Sequence, residues 1–225
     1  MEQHMENKGE RDLRLLQLRF IGKILAGFTH ESKNYIAIVK ESAGLIGDMI
    51  QLGEKAGDES QAYLEIIHSI EEQIEKATDL FRHLNRFSHR MDTELCTFNV
   101  NETLEELIAL LTRFAHQKKI SLEKDFQQDI PSINNNPSLL QLLVFHFLEE
   151  QFTRLDKDSS LMLKTSLSNG SVIVKIIAKG TYLEADTEKK PGNDKIHVYI
   201  IDQLGGTIIK ENDLISISLP LSLSS

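Results

Sequence analysis

The sequence predicts a long α-helical hairpin, paired with a second copy as a dimeric four-helix bundle, followed by an α/β sandwich domain. Three observations predict it. Residues 13–90 keep apolar positions at helical spacing, with no proline and a single turn-like break. Residues 120–219 instead contain alternating strand patterns interleaved with helical stretches. Between them, at Cys96-Thr97-Phe98-Asn99-Val100-Asn101, the period changes, so residues 1–95 and 96–225 read as two domains.

In the first domain, Ile21, Ile24, Phe28, Tyr35, Ile38, Leu45 and Met49 recur in steps of three, four or seven, predicting a helix over residues 13–52. Two glycines and small polar residues at 53–60 spell a turn. A second helix over residues 61–90 carries Tyr63, Ile67, Ile70, Ile74, Ala77, Phe81 and Leu84, the a/d repeat of a bundle. One hairpin cannot cover both stripes, and a two-fold dimer is the simplest partner.

In the second domain Asn101 reads as the N-cap of a helix over residues 103–117. A strand at 120–126, a turn at Asp129-Ile130-Pro131, and an apolar helix opened by Pro137-Ser138 and running to about residue 155 follow. Strands at 161–167 and 172–177 flank Asn169-Gly170, a hairpin turn. A helix at 195–204 stops at Gly205-Gly206, and segments 207–209 and 214–219 make a last strand pair. Helices with an antiparallel or mixed sheet in this order predict a sheet packed on one face.

Composition narrows the function. The 225 residues are 40% hydrophobic and 26% charged, ordinary for a globular chain. No apolar run is long enough to span a bilayer, and the polar N-terminus lacks a signal peptide's apolar core. The single cysteine, Cys96, excludes an internal disulfide and suits a reducing cytoplasm. A net charge of -9 argues against nucleic acid as partner.

The chemistry-bearing segment is Phe28-Thr29-His30-Glu31-Ser32-Lys33-Asn34. On a helix, His30 and Asn34 share a face one turn apart. His30 falls outside the apolar stripe and should face solvent. An adjacent carboxylate, Glu31, suits a nucleophilic imidazole, because it accepts a hydrogen bond from one ring nitrogen and leaves the other free. Small residues nearby, Ala26, Gly27 and Ala37, leave room for a docking partner or simply suit the bundle. Lys33 is either a positive charge serving that imidazole's chemistry or a solvated lysine. The other histidines, His68, His83, His89, His116 and His197, show no metal-like grouping, and no metal site is expected.

His30-Glu31-x-x-Asn34 resembles the H-box of bacterial histidine kinases, in which a helix of a dimeric hairpin carries a phospho-accepting histidine. The resemblance continues in order through Thr97-Phe98-Asn99-Val100-Asn101, Lys118-Lys119-Ile120, Ile130-Pro131, Pro137-Ser138-Leu139-Leu140-Gln141, Gly205-Gly206-Thr207-Ile208 and Leu219-Pro220-Leu221. It implies that the second domain is a GHKL-type ATP-binding domain, but a degenerate one. The family's asparagines for magnesium and phosphate fall at His146 and Glu150. Within its apolar surroundings His146 reads as a core or interface residue, whereas Glu150 is an oxygen donor of the kind magnesium takes. The adenine-recognising Asp-x-Gly-x-Gly becomes Ala178-Lys179-Gly180-Thr181-Tyr182. The second glycine loop is reduced to Gly192, beside Asp194.

The combination is similar to the dimeric histidine phosphotransferases. It implies a phosphorelay intermediate that passes a phosphoryl group between response-regulator receiver domains through His30, with Glu31 orienting the ring and Asn34 placing a water or phosphoryl oxygen. No intrinsic cofactor is expected, magnesium arriving with the regulator. Three alternatives stay open: an ATP-using kinase with a divergent site, a regulator phosphatase using Asn34, and a dimeric scaffold that carries no phosphate.

Overall fold

The structure is a computed structural model and describes residues 2–52, 60–183, 193–211 and 213–223. Two helices, α1 (Glu2–Leu52) and α2 (Ser60–His89), pack side by side as the predicted hairpin. Most of the expected turn at residues 53–60 lies outside the described residues. The helix begins earlier than residue 13: its N-terminal part runs along the second domain, where Leu13 and Leu16 pack on the core. That packing holds a polar, mixed-charge segment helical, which periodicity alone does not reveal.

The second domain runs β1 (Cys96–Phe98), α3 (Val100–Lys118), β2 (Ser121–Phe126), β3 (Ile133–Asn135), α4 (Pro137–Arg154), β4 (Ser160–Ser168), β5 (Ser171–Lys179), α5 (Asn193–Gln203), β6 (Thr207–Lys210) and β7 (Leu214–Pro220). A five-stranded mixed sheet has the order β2-β4-β5-β7-β6, with β2 parallel to β4 and the other pairs antiparallel. β1 and β3 form a separate short pair. Asn169 (φ 50°) and Gly170 (φ 72°) turn β4 into β5 in the left-handed conformations such a two-residue loop requires.

Asn99, not Asn101, caps α3: its side chain accepts from the backbone N–H of Asn101 and Glu102. Asn101 is drawn off by tertiary partners, donating to the Gln127 carbonyl at 2.8 Å and accepting from Thr165 Oγ1 at 2.7 Å. Asn136 caps α4, just ahead of Pro137 at the start of the helix, where a missing N–H costs nothing.

Inward residues of the sheet, among them Leu161, Leu163, Val172, Val174, Ile176, Ile217 and Leu219, are buried under α3, α4 and α5. The same cluster takes in Phe20 and Ile24 of α1 and Leu80 and Phe87 of α2, so the two domains share one core. A buried ion pair ties the hairpin's exit to α3: Arg90 reaches Glu106 at 2.9 and 3.1 Å, and Glu106 is only 1% exposed. Hydrogen bonding to that carboxylate raises the arginine's pKa above its ordinary range.

Only part of the predicted α2 seam faces this core: Leu84 packs against it, and Tyr63, Ile70 and Ala77 are half-buried. Ile67, Ile74 and Phe81 are exposed, as are Ile36, Leu45 and Ile50 of α1. None of the described helices is long and apolar enough to cross a membrane.

Candidate functional site

Helical geometry places His30 on the exposed side of α1, as its position outside the stripe predicts. Its partner comes from the other domain: Arg113 of α3 brings Nη2 to 2.8 Å from His30 Nε2. A guanidinium can only donate, so a hydrogen bond here uses the Nε2 lone pair and requires the tautomer whose proton is on Nδ1. Through Nη1 the same arginine donates to Glu31 Oε2 at 3.1 Å. The Arg113 and Glu31 side chains are 17% and 26% exposed, so water screens their attraction only in part.

Glu31 therefore holds Arg113 rather than the imidazole. It also accepts a hydrogen bond from Tyr35, whose phenol is pushed up to about 12, first by burial and then by the Glu31 charge. Asn34 lies half-buried one turn beyond His30 and makes no side-chain hydrogen bond to any described residue. Ala26, Lys33 and Ala37 are exposed, but Gly27 is not. Its face is covered by Phe114, and a Cβ there would lie 2.6 Å from the ring, so this glycine admits the chain's own α3 rather than a partner.

Behind Arg113 lies a cavity of about 270 Å³ between α1, α2 and α3, lined by Glu31, Tyr35, Lys76, Asp79 and His83 among others. Among the described residues no three side chains cluster as metal ligands. Sequence reasoning missed Arg113. The only signal was a cation between Leu110, Leu111 and Phe114 on an otherwise apolar helix face.

A second surface, that of α4, is covered by α1. Phe20 packs tilted against Phe145 with ring centroids 4.6 Å apart, and Lys23 pairs with Glu149. His146 lies half-buried here, its ring 5.5 Å from that of buried His197, and Glu150 faces Arg154 at 3.7 Å. Ala178 packs into the sheet. Gly180 (φ 138°) is needed locally, because a Cβ there would meet Ser159 Oγ at 2.2 Å. The following residues are tied to the end of α4, with Leu183 N–H on the Arg154 carbonyl at 2.8 Å and the Arg154 guanidinium 5.0 Å over the Tyr182 ring. Gly192 and the Asp194 side chain lie outside the described residues.

The sequence matches no protein-family model and no curated protein. Solved structures do match. Two nucleotide-free structures of the catalytic domain of histidine kinase ThkA align with TM-scores of 0.51 and 0.50, each at 16% identity over 58% of this chain and 100% and 97% of theirs. The Acinetobacter baumannii histidine kinase AdeS aligns with a TM-score of 0.47 at 19% identity, over 85% of this chain and 98% of that one. The α/β domain has the histidine-kinase catalytic-domain fold.

In this kinase-like domain the surroundings of His146 are cationic. Burial first, then Lys23 and Arg19, lower its pKa to about 4, which suits a neutral packing residue rather than a phosphate-binding cation. An unfolded histidine titrates near 6.5, so between about 6.5 and 4 the unfolded chain binds the extra proton. Stability should therefore be fully present above pH 6.5 and fall as the pH drops toward 4. Urea midpoints across that range check this, and His146→Gln should flatten the slope.

Proposed function

We infer that this chain is a histidine phosphotransferase of two-component signalling, which accepts a phosphoryl group on His30 Nε2 from the aspartyl phosphate of one response-regulator receiver domain and passes it to the aspartate of another. The observation that carries this reading is the exposed His30 ring with the Arg113 guanidinium 2.8 Å from its Nε2. A nucleophile and an anion-binding group stand together there, as phosphoryl transfer needs.

In the accepting step the Nε2 lone pair forms a P–N bond while the P–O bond to the donor aspartate breaks, leaving its electron pair on that carboxylate. The Nδ1 proton stays on the ring. Magnesium comes with the receiver, and catalysis is mainly alignment and charge neutralisation.

The kinase-like domain then has another task than using ATP. That view is supported by the cover α1 lays over α4, where the residues aligned with the family's asparagines are packed or paired with protein groups. A second copy of the chain is the proposed partner of the exposed apolar stripes of α1 and α2, completing a four-helix bundle in the cytoplasm. Ala26, Lys33 and Ala37 then belong to the surface a receiver approaches.

The test is transfer with the full-length chain. Label from a phosphorylated receiver should move onto it as an acid-labile phosphoryl group, and labelled ATP with magnesium should leave it unlabelled. Millimolar Mg-ATP should not raise the unfolding temperature, since only a ligand of the folded state does so. Robust ATP labelling that disappears in His30→Gln would make it a kinase instead.

A further inference from the structure

We propose that Arg113 is a catalytic residue of this transfer: the kinase-like domain supplies, in place of a nucleotide, the guanidinium that receives the phosphoryl group on His30. This rests on the phosphotransfer reading above. Arg113 reaches the reacting nitrogen itself, its Nη2 standing 2.8 Å from Nε2. Such a contact must be given up when a P–N bond forms there. The geometry offers a new acceptor at the same moment, because the phosphoryl oxygens arrive where Nη2 already points.

Glu31 makes the exchange a pivot rather than a departure. Its carboxylate holds Nη1 at 3.1 Å, while the Gly27–Phe114 contact keeps α1 and α3 close. The guanidinium can then swing Nη2 from the ring nitrogen to the phosphoryl oxygens without leaving its carboxylate. Arginine suits this use because its planar fork serves two acceptors at once and keeps its proton throughout. As the P–N bond forms and the P–O bond breaks, Arg113 exchanges a neutral acceptor for an anionic one. No proton crosses between it and the substrate, and the onward transfer runs the same exchange in reverse.

The arrangement also explains an otherwise costly choice. An arginine set between Leu110, Leu111 and Phe114, with most of its side chain out of water, needs compensation. Glu31 supplies it in the resting state, and the phosphoryl group adds to it in the charged state.

The experiment uses the full-length chain and phosphoramidate, a small donor that phosphorylates imidazole directly, with phosphohistidine followed by phosphorus NMR. Arg113→Gln keeps a planar hydrogen-bonding end and should accept about 100-fold more slowly than the original chain, the usual loss when a preorganised charge-stabilising donor is removed. Arg113→Lys keeps the charge without the fork and should fall between. Free guanidinium ion should speed Arg113→Ala but not the original chain, a rescue that a merely structural role would not show. Acceptance by folded Arg113→Gln at the original rate, or Arg113→Ala unmoved by guanidinium, overturns the proposal and leaves the phosphotransfer reading intact. Failure of the original chain to form phosphohistidine from either phosphoramidate or a phosphorylated receiver overturns that reading itself.

Discussion

His30→Gln is expected to lose phosphoryl acceptance by at least ~10³-fold, the scale seen when a covalent nucleophile is removed. Glutamine is about the right size to keep the surface intact. Its side-chain oxygen can still accept from Arg113, so the α1–α3 contact survives. What it lacks is a nitrogen lone pair basic enough to attack phosphorus. Because His30 is exposed, folding stability should stay within about 0.5 kcal/mol. The measurement is label transferred from a phosphorylated receiver, beside a thermal melt of the same sample. Retained label in the variant would move the phosphoryl acceptor elsewhere. Receiver dephosphorylation that persists in His30→Ala and vanishes in Asn34→Ala would make the chain a phosphatase, with Asn34 holding the attacking water.

Phe20→Ala carries the largest expected loss of stability, about 3–5 kcal/mol, the range for truncating a fully packed aromatic. The ring is 2% exposed and stands where α1, α2 and α4 meet. It meets Phe87 edge-on at 5.3 Å and Phe145 tilted at 4.6 Å. Both partners belong to other helices, so the cavity cannot close by moving one side chain. For a chain of this size the change amounts to a fall of roughly 10 °C in the unfolding midpoint. Ten residues further along α1, the approach of Arg113 to His30 depends on the same docking. Phosphoryl acceptance should therefore fall together with stability, whereas His30→Gln separates the two. A variant that melts like the original chain would mean that α1 does not rest on α4 as described.

Much of this fold is legible in the sequence. Alternation at residues 161–167 and 172–177, with Asn169-Gly170 between them, specifies a strand pair because side chains on a strand must alternate between faces. The helical repeat of residues 61–90 marks an apolar stripe, and in the folded chain its Ile67, Ile74 and Phe81 are left outward while Leu84 packs on the core. Short elements were not legible. The three-residue strands β1 and β3 hold their shape by pairing with each other, and β3 also with residues 221–223, across sequence distances that no local pattern records. Choosing between two capping asparagines was equally out of reach, since Asn101 is claimed by Gln127 and Thr165.

By itself the sequence determined the helix and strand types, the exposed placement of His30 and the need for something to cover the hairpin. All of these follow from local period and from the cost of leaving apolar stripes in water. Only the tertiary structure decided that α1 lies over α4, that Gly27 makes room for Phe114 and that Arg113 meets His30. These are contacts between residues far apart in the chain. They depend on how two helices cross and on where a long side chain ends, and neither is encoded in the residues within a turn of either partner.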